Sequence, residues 1–286
     1  MATISATTRD VAPASSRGGI FGGSLTRGGG LLLLGVVLGL VSLVSLAAGA
    51  RDVDLAAVIG ALTGFDGSSE HVIVRDLRLP RLLLGFAVGA ALALAGMLMQ
   101  GLTRNPVADP GILGVSAGSA LMVVIAISLF GVADASGYLW FSLAGAAVAS
   151  TLVYVLGSAG RGRGSPAALT LAGAVMTALL TAVTTTILVL DDATLERFRF
   201  WDVGSLAGRD VGVLATVLPV MLVGVVIALA AGRALNTLSL GNDLATALGQ
   251  RVLLVRVTVA AAIVLLAGAA VAAAGPIVFV GLAVPH

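Results

Sequence analysis

Residues 75–120 read RDLRLPRLLLGFAVGAALALAGMLMQGLTRNPVADPGILGVSAGSA. A short arginine element, Arg78-Leu79-Pro80-Arg81, opens an apolar run rich in Gly and Ala over 82–103, and Asn105-Pro106-Val107-Ala108-Asp109-Pro110-Gly111 closes it. The run has the length an α-helix needs to cross a hydrocarbon core of ~30 Å at ~1.5 Å per residue. Proline fixes φ and pushes the residue before it out of the helical region, so Asn105, Pro106 and Pro110 predict a rigid turn where the chain leaves the membrane. Gly85, Gly89, Ala93 and Gly96 share one helical face, and small residues so spaced let helix backbones approach closely inside lipid, where no hydrophobic effect drives association.

The rest of the 286-residue chain has the same character: 58% of it is apolar and 10% charged, against about 25% charged in a soluble domain. Further apolar runs cover 31–50, 112–131, 138–158, 166–190, 211–231 and 255–274. The expectation is an all-α, polytopic membrane protein with seven complete transmembrane helices. Residues 1–30 read as a flexible cytoplasmic tail and 31–286 as the transmembrane domain. The run 31–50 is long for a signal peptide, and the rest of the chain is itself membrane-embedded, so it reads as the first span. A last apolar stretch, 276–284, ends at Pro285-His286 and has too few residues to cross, so the sequence reads as cut off in mid-segment.

Several chemistries are excluded by composition. A net charge of +2 gives no basic surface for nucleic acid. There is no Cys for a thiolate site and no Lys to complete a Walker A loop, so the chain does not bind ATP by that route. His71 and His286 are too few for an intramembrane metal cluster. No catalytic residue and no metal site is expected. Every ionisable side chain falls in a loop or at a span end, whereas an ion-coupled transporter usually places one within a span. The energy source is therefore expected outside this chain. With the N-terminus inside, Arg104, Arg161, Arg163, Arg233, Arg251 and Arg256 are cytoplasmic, and Arg51, Arg75, Arg78, Arg81, Arg197, Arg199 and Arg209 external, a weak positive-inside majority once the tail arginines are added.

Four further segments stand out. In the loop segment 236–250, Leu240, Leu244 and Leu248 recur every fourth residue, Gly241 and Gly249 punctuate, and Asn242 or Asp243 is placed to cap a short amphipathic helix outside the bilayer. Arg78 and Arg81 stand at an outward helix start, where guanidiniums suit bidentate pairing with carboxylates, snorkelling to phosphates, or a local pair with Asp76. Thr177, Thr181, Thr184 and Thr185 form a hydroxyl stripe that either bonds back to its own helix or lines a path. Trp201, beside Asp191, Asp192 and Glu196, is an interface anchor or a cargo contact.

Taken in order, the 75–120 segment, Trp201-Asp202-Val203-Gly204-Ser205-Leu206, LSLGNDLATALG at 238–249 and GPIVFVGLAVPH at 275–286 resemble the FecCD family, the permease subunits of ABC importers for ferric siderophores, haem and cobalamin. The resemblance implies an ABC importer permease fold of ten spans, with the last two and most of the eighth missing here. It implies that Arg78 and Arg81 dock acidic residues on the two lobes of an external substrate-binding (lipo)protein. It makes 238–249 the coupling helix that sits in a groove of an ATP-binding cassette ATPase subunit, places the Gly164-Ser165-Pro166 loop near the inner mouth, and gives ATP and Mg to that partner rather than to this chain. A second permease copy or paralogue completes the path in a bacterial plasma (inner) membrane. The rival readings are an ion-coupled secondary transporter, an intramembrane enzyme and a non-functional permease fragment.

Overall fold

The computed structural model describes residues 24–158 and 166–286. The expected tail up to residue 23, and Gly164-Ser165, lie outside the described residues. The first helix, α1 (Ser24–Ala47), begins seven residues before the expected boundary at Leu31. Two short helices come next, α2 (Leu55–Thr63) and α3 (Ser69–Val72), and then α4 (Leu79–Thr103). Residues Ile73–Arg78 between α3 and α4 form a π-turn, with the Leu79 amide bonded to the Val74 carbonyl. Pro80 accounts for it: lacking an N–H and clashing with the carbonyl four residues back, it forces the preceding turn to widen.

The remaining helices are α5 (Val115–Phe130), α6 (Ala135–Ser158), α7 (Pro166–Leu190), α8 (Asp192–Asp202), α9 (Val211–Ser239), α10 (Asn242–Ala247), α11 (Val252–Ala274) and α12 (Val280–Ala283). Among the described residues six helices are long and apolar enough to cross a membrane. The expected seventh span, 112–131, is built in two pieces. Gly114 at φ 72° separates a 3-10 turn, Pro110–Leu113, from the 16-residue α5, which alone, at ~1.5 Å per residue, is shorter than a ~30 Å core, and the two together carry the chain from the end that holds Arg104 to the end where Ser128 meets Asp191.

Helix α11 is the centre of the bundle. It packs on α4, α6 and α9, and every residue from Leu266 to Ala274 is buried. Only an Ala/Gly-rich helix can be enclosed so closely on all sides. Buried hydroxyls tie it in: Ser142 on α6 donates to the Gly268 carbonyl at 3.0 Å, and Ser119 on α5 donates to the Ser142 carbonyl at 3.0 Å. Helices α5 and α6 cross at Gly118 and Gly145, where a Cβ on either glycine would meet the other's carbonyl oxygen at 2.1–2.3 Å.

After α11 the chain turns at Gly275 (φ 78°) and runs back along α4. It starts where the Ser205 amide donates to the Ala274 carbonyl at 2.7 Å and ends where His286 Nε2 lies 2.8 Å from the Pro106 carbonyl. These twelve residues therefore return to the opposite end of the bundle, contrary to the expectation from their number. An extended stretch covers ~3.3 Å per residue, about twice the helical rise, before Phe279 (φ 71°) starts α12.

Candidate functional site: the two ends of the bundle

The helix directions sort the loops into two ends. One end carries α2, α3, α8 and Arg78, Arg81, Arg197 and Arg209; the other carries α10 and Arg104, Arg233, Arg251 and Arg256.

At the first end the structure separates the two arginines of the opening element. A helix leaves its last carbonyls without intrahelical donors, and Arg78 supplies them to α1. Its Nη1 donates to the Leu46 and Ala47 carbonyls at 2.6 and 2.7 Å, and its Nη2 to the Arg51 carbonyl. The cation also complements the negative end of the α1 dipole. Arg81, by contrast, is exposed in the first turn of α4. Arg78→Ala is expected to loosen α1 from the bundle, costing about 2 kcal/mol from the freed, partly buried carbonyls, whereas Arg81→Ala leaves stability within about 0.5 kcal/mol. Thermal unfolding in detergent checks both; equal melting of the two variants would remove the capping role.

The loop around His71 is closed by short contacts. His71 Nδ1 lies 2.8 Å from Asp66 Oδ1, the Ser68 amide donates to that same oxygen at 2.8 Å, and the Arg75 guanidinium sits 5.0 Å above the Phe65 ring. The Ser68 hydrogen bonds hold the Asp66 carboxyl below its ordinary range. On the far side of this end, Asp191 caps α8 through the Thr194 amide and hydroxyl and accepts from Ser128 of α5; the Thr194 bonds lower its pKa likewise. Trp201 is neither an interface anchor nor an open cargo contact. It is 3% exposed, packs with Val123, Val124, Ile127, Phe198 and Val271, and its Nε1 donates to the Ala272 carbonyl at 3.4 Å. An aromatic residue beside three acids signals an interface in sequence, and only the fold shows α8 dipping into the core.

At the second end, α10 starts at Gly241 (φ 118°) with no side-chain cap, so neither Asn242 nor Asp243 fills the expected capping role. The Asn242 side chain instead accepts from Arg256 Nη2 at 3.2 Å, and Asp243 stands in the first turn, where a negative charge favours the helix dipole. Ala245 faces the core and is fully buried, while Leu240, Leu244 and Leu248 are 63, 48 and 62% exposed. Gly249 (φ 81°) turns the chain into α11. The Asn105 turn is built as a rigid hook: Asn105 Oδ1 accepts from the Val107 amide at 3.1 Å, Pro110 is buried, and Asp109 Oδ1 accepts from the Gly111 amide at 2.8 Å.

The threonine stripe divides. Thr184 is buried and donates to the Leu180 carbonyl at 2.8 Å. Thr181 and Thr185 are exposed, and Thr177 borders a shallow cleft with Asp109, Gly111 and Gly173. Helix α7 thus keeps most of its surface, including two of these hydroxyls, outside the core.

A family model, the FecCD transport family, matches residues 36–286 of this chain. The chain belongs to the FecCD transport family. It is 46% identical over 257 residues to the ferric enterobactin transport system permease protein FepD of Escherichia coli, covering 90% of this chain and 76% of that one. Over 216 residues it is 38% identical to the hemin transport system permease protein HmuU of Yersinia pestis, covering 74% of this chain and 64% of that one. A solved structure of an inward-facing metal-chelate type ABC transporter superposes with a TM-score of 0.76 at 28% identity, over 91% of this chain and 80% of that one. As a FecCD-family chain with membrane-spanning helices throughout, it is a multi-pass membrane transport protein.

Proposed function

We propose that this chain is the membrane-spanning permease subunit of an ATP-driven importer that takes up a ferric siderophore, or the related haem or cobalamin, from an external binding protein. The observation that carries this reading is the α10 surface. Leu244 on a short helix outside every spanning segment, with Leu240 and Leu248 at its two flanks, stays exposed in a chain whose family is one of transporters. A helix-in-groove contact with an ATPase subunit would bury them.

In this reading the α10 end faces the cytoplasm, with the N-terminus inside a bacterial plasma (inner) membrane. Mg-ATP is bound and hydrolysed on a separate ATPase pair. Closure of that pair shifts the inward–outward equilibrium only through its differential contacts with α10. Arg81, exposed at the opposite end, offers a guanidinium to an acidic residue on the binding protein, and Arg78 shapes that surface by fixing α1. The open face of α7, with Thr177, Thr181 and Thr185, would meet a second permease subunit about the path. The chain itself does no covalent chemistry.

The test is uptake of labelled ferric enterobactin, haemin and cobalamin by permease-deficient cells given this chain with its candidate ATPase and binding protein. One cargo class is expected to enter, with uptake lost on ATP depletion and kept when the ion gradient is collapsed. Uptake that tracks the gradient and ignores ATP would replace this reading with secondary transport.

A further inference from the structure

Between α4, α6 and α11, at the end of the bundle that carries α10, lies a cavity of about 520 Å³. Leu102, Leu113, Ala147, Ala261, Val264 and Leu265 give it apolar walls. Among the described residues its lining holds no acidic side chain, yet two arginines border it, Arg104 and Arg256. Arg104 is the exposed residue that ends α4 in the left-handed conformation (φ 53°). Arg256 lies in the first turns of α11 and reaches Asn242 of α10.

The polar side chains on the wall are not alike. Thr103 and Thr151 donate to carbonyls of their own helices at 2.7 Å. Ser150 is 6% exposed, and its hydroxyl is buried with no hydrogen-bond partner.

An apolar chamber with cations at its edge and no anion in its lining is complementary to one kind of molecule: an amphiphile with an apolar tail and a negatively charged head. A free anion gains nothing from the leucine and alanine walls, and a zwitterionic lipid gains little from paired arginines. Basic pockets between spanning helices accept anionic lipid head groups on these grounds. We propose that the cavity is a binding site for one anionic phospholipid, an acyl chain lying against α4, α6 and α11 and the phosphate held by Arg104 and Arg256. Because Arg256 also holds Asn242, the bound phosphate would help to fix the base of α10.

The full chain, purified in mild detergent, is incubated with dioleoylphosphatidylglycerol or dioleoylphosphatidylcholine, and the lipids retained are counted by native mass spectrometry. One phosphatidylglycerol per chain should survive at activation energies that strip phosphatidylcholine. The double variant Arg104→Gln, Arg256→Gln should bind it about thirtyfold more weakly. Ala261→Phe, which keeps both charges and fills the cavity, should also lose it. Inorganic phosphate in millimolar excess should not displace it. The wild-type competition between the two lipids needs no variant, so a misfolded mutant leaves the proposal testable. Equal retention of both lipids, displacement by inorganic phosphate, or full retention by Ala261→Phe would overturn it. So would a chain–chain complex that excludes lipid, because the cavity would then be covered by protein. None of these outcomes bears on whether the cargo is a metal chelate.

Discussion

Replacing Leu244 and Leu248 together by Asp should abolish co-purification of the ATPase subunit while leaving insertion and helix content unchanged. Both side chains are exposed, Leu244 on α10 and Leu248 at its C-terminal cap, so their loss removes little from the folded chain, within the ±0.5 kcal/mol or so of an ordinary surface change. Ala245, which anchors α10 to the bundle, is untouched. In a groove each leucine contributes about 1.5–3 kcal/mol of burial, so the pair accounts for roughly 10²- to 10⁴-fold in affinity before the cost of bringing two carboxylates into an apolar slot. The measurement is a pull-down of the ATPase with tagged permease, alongside cargo uptake. An ATPase recovered at wild-type yield would remove α10 from the coupling role, and the exposed leucines would then rest on lipid head groups as an interfacial helix.

Much of the fold was legible because hydropathy and length alone dictate a spanning helix. The runs 138–158, 166–190 and 255–274 reappear as the bodies of α6, α7 and α11. What hydropathy could not show was where backbone geometry overrides it. The run 112–131 is as apolar as its neighbours, yet Gly114 in the left-handed conformation breaks it into a turn and a short helix. The segment after Gly275 crosses by being extended, and no periodicity announces that.

The candidate site was legible in part for a different reason. Leucines spaced by four residues predict one helical face; all three are exposed, but α10 covers only Asn242–Ala247, so Leu244 alone lies on it, with Leu240 before the Gly241 turn and Leu248 at its end. The roles of Arg78 and Trp201 depend on partners far along the chain, the carbonyls of Leu46, Ala47 and Ala272, and no local pattern encodes them. An Arg in sequence is a charge in search of an anion; in the fold Arg78 found backbone carbonyls first.

The stripe of small residues on α4 makes the sharpest contrast between pattern and contact, and it predicts the largest effect on folding. Gly89 has open space where a Cβ would go, and at Gly85 only the Leu206 side chain comes within ordinary contact, at 3.4 Å. Alanine there should be neutral or stabilise by up to about 1 kcal/mol through helix propensity. Gly96, the last small residue of the stripe, is another matter. A Cβ at Gly96 would lie 1.8 Å from the Gly281 carbonyl oxygen and 2.5–2.6 Å from its carbon atoms. Those atoms are backbone, so no rotamer change relieves the clash, and α12 would have to leave its seat on α4. That displacement would strain the Gln100 Nε2 hydrogen bond to the Leu282 carbonyl, now 3.3 Å, and the contact between His286 and the Pro106 carbonyl. Gly96→Ala is therefore expected to cost about 3 kcal/mol or more, at the upper end of overpacking, and to lower both the yield of monodisperse protein and its melting temperature, while Gly89→Ala does neither. If the two variants melt together in the same detergent, the return of the chain along α4 is not part of the stable fold, and the approach of α12 to the second span contributes nothing to holding it.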